Sequence, residues 1–143
     1  MILIYLAQNP EWLEKVRAEV LSAAKKHGSD PNASVVEQLS SLPIEMWESQ
    51  FPLIDLCLRD SIRLQMPGQG MRRNIGGKDI QLGDVTIPKD AYVAYPWPDL
   101  NYDSEVYPDP DRWNPGRYLE ERTDSTRPHS YVGWGSGRHP CRK

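Results

Sequence analysis

Trp134-Gly135-Ser136-Gly137-Arg138-His139-Pro140-Cys141 decides how the rest of this 143-residue chain is read. Gly135 and Gly137 free the backbone to turn sharply or to lie against something flat. Cys141 supplies a thiol whose deprotonated form binds metal. Arg138 and His139 add two groups that pair with carboxylates. These residue types in this order suit a loop that presents one sulfur to the face of a planar, carboxylate-bearing group. The other cysteine is Cys57, and two cysteines are too few for a disulfide framework. One disulfide between them is open to the chain, but the expectation is one buried thiol and one ligand thiol in a reducing compartment.

Working outward from that loop, residues 97–131 are polar, aromatic and proline-rich. Pro108, Pro110 and Pro115 forbid long regular elements there. Further back, residues 71–75 and 80–82 are strand candidates on either side of Gly76-Gly77-Lys78-Asp79, a strong turn signal. Residues 85–90 read as a turn after a strand, and 91–95 as another strand before Pro96. The joint Gln65-Met66-Pro67-Gly68-Gln69-Gly70-Met71 cannot continue a helix, because of its proline and two glycines.

The joint closes a helix that starts between residues 48 and 52 and runs to about 65. Leu53, Leu56, Cys57, Asp60 and Leu64 share one of its faces. A carboxylate on a buried face is costly unless paired, and Arg63 lies within reach, three residues on. Asn9-Pro10-Glu11 starts an earlier helix expected over 10–27, ended by Gly28. Residues 28–42 are turn-rich, with room for a short helical piece near 35–39. The apolar residues 2–6 read as the last turns of a buried helix. The fold class expected is α+β: mostly helical, with a small antiparallel sheet and a long irregular meander, in one domain over 1–143.

The formal charge of −3 argues against a nucleic-acid partner. With 38% hydrophobic residues, 13 prolines and 10 glycines, long irregular segments are expected. No apolar run approaches the roughly 20 residues of a membrane span, and no signal peptide is evident.

Three of these stretches, in this order, resemble the cytochrome P-450 family. The cysteine loop is similar to the family's haem-ligand loop, with Trp134 in place of the usual phenylalanine and Gly137, His139 and Cys141 at the expected positions. Leu58-Arg59-Asp60-Ser61-Ile62-Arg63-Leu64 resembles its acid–arginine helix, with Asp for Glu. Trp113-Asn114-Pro115-Gly116-Arg117-Tyr118 resembles its Pro-x-Arg-Phe segment. Asn101 stands where many members carry histidine. Arg142 and Lys143 depart from the pattern, standing where the family has an apolar residue and a glycine.

The resemblance implies a haem-thiolate monooxygenase of the eukaryotic, fungal-like microsomal type, an oxidoreductase. Cys141 would be the axial ligand of a haem iron. Trp134, Gly135, Gly137, His139 and Arg73 would contact the haem, Arg73 or its neighbour Arg72 through a propionate. Asp60, Arg63 and Arg117 would form a buried structural cluster. Gly68, Gln69, Gly70 and Met71 would line the substrate pocket. The reaction implied inserts one oxygen atom from O2 into a small organic substrate, with electrons from NADPH through a reductase partner. The whole protein would sit at the endoplasmic reticulum membrane. The chain is expected to be a piece of that domain, from the end of its central helix to the cysteine loop, and inactive alone. The alternative is a truncated, non-catalytic product that binds haem weakly or not at all.

Overall fold

The computed structural model describes residues 1–66, 68–119, 128–135 and 141. The chain forms two compact units, Met1–Ile62 with Arg112–Arg122 and Arg63–Asp111 with Thr123–Lys143. The class is the mixed helix-and-antiparallel-strand one that the sequence predicts.

In the first unit, α1 (Ile2–Gln8) leads into α2 (Pro10–His27). Pro10 opens α2, as expected at a first helical position, but Asn9 does not cap it with its side chain. That amide instead donates to the carbonyl of Tyr5 at 2.8 Å. Gly28 ends α2 for a steric reason rather than by a left-handed turn, since its φ is −63°. A Cβ there would lie 2.6 Å from the Ala24 carbonyl oxygen and 2.7 Å from Gln38 Cβ.

Next come α3 (Val35–Ser40), α4 (Ile44–Ser49) and α5 (Pro52–Gln65), whose residues from Arg63 on are counted with the second unit. Ser34 and Glu37 make a reciprocal capping box at the start of α3. α5 matches the helix expected to start between residues 48 and 52, whereas the sequence reading did not find the short α4. Ala23, Leu42 and Phe51 form the buried apolar centre, packed by Val20, Leu39, Met46 and Ile54. Glu19 on α2 accepts the backbone N–H groups of Leu53 at 2.8 Å and Ile54 at 3.1 Å. Two donors that a helix start leaves without partners are thereby satisfied, by an acid placed at the positive end of the α5 dipole.

The second unit holds β1 (Gln69–Arg73), β2 (Ile80–Leu82), β3 (Val85–Ile87), β4 (Tyr92–Pro96) and α6 (Trp97–Asn101). One sequence expectation is corrected here. Residues 76–79 separate two strands as expected, and the pairing is β1 antiparallel with β4 and β2 with β3. Residues 85–87 are a strand, not a turn, and the tight hairpin connection is Gly83-Asp84, with Gly83 at φ +56°. The small antiparallel sheet is therefore two separate two-stranded ribbons.

Buried Asn74 holds the chain between the ribbons. Its amide donates to the carbonyls of Lys78, Ile87 and Pro88 at 2.9, 3.2 and 3.0 Å, and its oxygen accepts the Gly76 N–H at 3.1 Å. In the first unit, Pro115–Tyr118 forms a 3₁₀ turn. No described helix is long and apolar enough to cross a membrane.

Candidate functional site

Side chains on a strand alternate between its two faces. In the β1–β4 ribbon the register pairs Gly70 with Tyr95 and Arg72 with Val93. These four residues line one cavity of about 800 Å³, together with Met66, Trp97, Val132, Gly133, Trp134, Gly135 and Cys141. That volume is within the range of small-molecule sites, about 300–1,000 Å³. The opposite face carries Arg73, whose guanidinium lies 3.0 Å from the Asp90 carboxylate and over the ring of Tyr92.

The cysteine end of the chain is shaped by short backbone contacts. The Tyr107 hydroxyl, on a side chain that is 1% exposed, donates to the carbonyl of Ser130 at 3.0 Å. The Gly135 N–H bonds to the carbonyl of Val132 at 2.8 Å. Gly135 has φ +82°, a left-handed conformation that disfavours any side chain. The Cys141 N–H donates to the Trp134 carbonyl at 2.6 Å, which brings the cysteine back beside the start of its own loop. Cys141 is exposed and Cys57 fully buried, and neither is in a disulfide. Burial pushes the Cys57 thiol up to about 12, helped by the negative charges of Glu19 and Asp60.

Asp60 and Arg117, paired in the sequence reading, meet in the first unit at 3.2 Å, both essentially buried. The Asp60 carboxylate also accepts the Asn114 N–H at 2.6 Å and the Tyr118 hydroxyl at 3.0 Å. Arg117 donates to the carbonyl of Arg112 at 2.9 Å. Trp113 donates to the Ser61 hydroxyl at 3.0 Å, stacks on Tyr5 and meets Trp12 edge-on. In the second unit, buried Arg63 donates to the carbonyls of Asn101 at 2.7 Å and Pro110 at 2.6 Å. Its guanidinium lies over the Tyr107 ring.

Of the residues named from the sequence, Trp134, Gly135, Gly70 and Cys141 share the cavity. Arg72, not Arg73, is on its wall. Gly68 (φ +109°), Gln69 and Met71 belong to the joint and to β1 but are not among the cavity's lining residues. Gly137 and His139 lie outside the described residues. Sequence reasoning missed Val93, Tyr95 and Trp97. The signal that finds Val93 and Tyr95 is alternation along β4, once its partner strand and register are known, and Trp97 opens α6 directly after it.

Comparison with known proteins gives one answer throughout. The cytochrome P-450 family model matches residues 1–142. A cytochrome P-450 monooxygenase from Cryptosporiopsis sp. (strain 8999) is 39% identical over 137 residues, 95% of this chain and 26% of that protein. One from Aspergillus novofumigatus (strain IBT 16806) is 38% identical over 134 residues, 92% of this chain and 26% of that protein. Among solved structures, the retinoic acid bound cyanobacterial CYP120A1 superposes with a TM-score of 0.72 at 25% identity, covering 98% of this chain and 29% of that one. The chain thus spans about a quarter of the length of the curated relatives it matches. With the family model matched over nearly every residue, and helices, ribbons and cysteine loop following in the family's order, the chain belongs to the cytochrome P-450 family.

Proposed function

We propose that this chain supplies the thiolate wall of a haem monooxygenase, with Cys141 as the iron ligand. The observation that carries the proposal is Cys141 on the wall of the same cavity as Trp134, Tyr95, Trp97 and Arg72. A cavity lined by a thiol together with aromatic and aliphatic side chains fits a planar group held through sulfur. When bound through a thiolate, haem supplies the activation of O2 by which one oxygen atom enters an organic substrate. The chain's own residues hold and shield. The left-handed turn at Gly135 lets the loop approach closely, and the Trp134 carbonyl fixes the Cys141 backbone. Trp134 and Trp97 add apolar surface to the cavity that the sulfur shares.

Gly137 and His139 are assigned to the cofactor by resemblance, as are Gly68, Gln69, Gly70 and Met71 to the substrate side. The Asp60–Arg117 pair and the Arg63 bonds hold the meander and have no catalytic role. The whole protein would take NADPH-derived electrons through a reductase at the endoplasmic reticulum membrane. This chain alone would bind haem weakly and turn nothing over.

The test is a haemin titration of the purified chain, followed by reduction and carbon monoxide. A thiolate-type Soret band is expected at excess haemin, lost in Cys141→Ala and kept in Cys57→Ala, with no turnover when reductase and NADPH are added. A spectrum indifferent to Cys141→Ala overturns the ligand assignment. Tight binding with turnover overturns the statement that the chain is inactive alone.

A further inference from the structure

Tyr107 ties together two parts of the second unit that are 23 residues apart in sequence. Its backbone N–H donates to the Asp103 carbonyl at 2.8 Å, in a turn where the Asp103 carboxylate also accepts the Glu105 N–H at 2.9 Å. Its ring lies under the guanidinium of buried Arg63, which is 4.9 Å from the ring centroid. The carbonyls of Asn101 and Pro110 hold that guanidinium in turn. With backbone and ring both held, the Tyr107 hydroxyl is a rigid donor, and it meets the Ser130 carbonyl at 3.0 Å. Ser130 is buried, and so is Val132 just beyond it. Two short bonds then lead on to the thiol: the Gly135 N–H to the Val132 carbonyl, and the Cys141 N–H to the Trp134 carbonyl.

We infer that Tyr107 is a positioning residue for the Cys141 ligand: its hydroxyl fixes where the cysteine loop begins, and Arg63 fixes the ring that carries it. The inference rests on the reading of Cys141 as the haem ligand. A ligand atom has to be held to within about 0.5 Å, and hydrogen bonds behind the ligand supply that precision. Tyr107→Phe keeps the ring under Arg63 and takes this donor from the buried Ser130 carbonyl. Opening of the loop then costs less, and a smaller fraction of chains presents the thiol in place. The bond from Trp113 to the Ser61 hydroxyl is the control, a buried hydrogen bond in the first unit.

The test measures amide hydrogen exchange in the 143-residue chain, where exchange reports the opening equilibrium, and separately its haemin titration. In Tyr107→Phe the Gly135 and Cys141 amides should exchange about tenfold faster, the ratio given by one hydrogen bond of about 1.4 kcal/mol. The Leu53 amide, bonded to Glu19, should not change. The haemin concentration that half-fills the Cys141-dependent Soret band should rise about three- to tenfold. 4-Aminophenylalanine in place of Tyr107 returns an N–H donor to the same position and should restore both readings. Ser61→Ala should lower stability in urea melts and move neither. If Tyr107→Phe does not fold, 4-fluorophenylalanine in place of Tyr107 fills the hydroxyl's space without donating and carries the comparison. Unchanged Gly135 and Cys141 amides overturn the inference, because other contacts then hold the loop. So does an equal shift in Ser61→Ala, or faster amides with an unmoved haemin midpoint, either of which makes Tyr107 a packing residue. If the amides respond but the unmodified chain gives no Cys141-dependent band, the haem reading fails alone. If that band forms and neither reading moves in Tyr107→Phe, this inference fails alone.

Discussion

The Asp60 node and the Cys141 cavity use the same kinds of side chain, arginines and aromatic rings around one ionisable group, and they differ in whether those groups are satisfied. Asp60 is fully buried and meets an arginine, a backbone N–H and a tyrosine hydroxyl. Arg72 lies on an open wall with one main-chain acceptor. A buried ion with its partners in place locks structure and has nothing left to offer a ligand. An arginine with one acceptor among the described residues, lining the same cavity as the Cys141 thiol, is arranged for something that arrives from outside.

The contrast is broken most directly at Asp60. Asp60→Ala leaves Arg117 buried without its carboxylate and should cost about 3–5 kcal/mol in urea melts of the chain. A loss under 1 kcal/mol would mean that the node is not closed.

The two thiols sharpen the contrast next. At pH 8 a group held at about 12 is ionised to only about one part in 10⁴, so Cys57 should resist a thiol reagent until denaturant is added, whereas Cys141 reacts in the folded chain. Cys141→Ala should therefore show no fast-reacting thiol. The same shift has a sign in stability. Above pH 9, the ordinary value for this thiol, the unfolded chain loses the Cys57 proton and the folded chain keeps it. The unfolded state then binds fewer protons, so stability falls as pH rises from 9 toward 12. Cys57→Ser, which lacks that titration, should flatten the slope in melts at pH 8 and pH 10.

A smaller effect is expected at Asn101, the exception inside the closed part. It is fully buried, and among the described residues its side-chain oxygen and nitrogen have no hydrogen-bond partner. Its carbonyl, which receives Arg63, belongs to the backbone and survives substitution. Asn101→Leu removes the unsatisfied amide and should be neutral or stabilising by about 1 kcal/mol in urea melts. A loss above 2 kcal/mol would show that the amide has a partner in solution.

The smallest effect belongs to Arg72. Arg72→Gln should change stability by less than about 0.5 kcal/mol, because the side chain is exposed and among the described residues meets only the Met71 carbonyl. A larger loss would move Arg72 from the ligand side of the contrast to the structural side.

Much of this was legible in the chain itself. Pro10, Gly28 and Pro52 mark where helices begin and end, because caps and ring constraints act within a few residues. The spacing of Leu53, Cys57 and Asp60 marks α5 and its buried acid, because helical period is local. The glycines around Cys141 mark the loop, and three motifs in order mark the family. What the residues could not settle was which strands pair, that Glu19 would cap α5 across 34 positions, and which of two adjacent arginines faces the cavity. Each of these is a contact between segments distant in sequence. A strand's hydrogen-bonding edge accepts many partners, and a slip of one residue exchanges its two faces, so only the assembled ribbon puts Arg72 on the cavity wall and Arg73 beside Asp90.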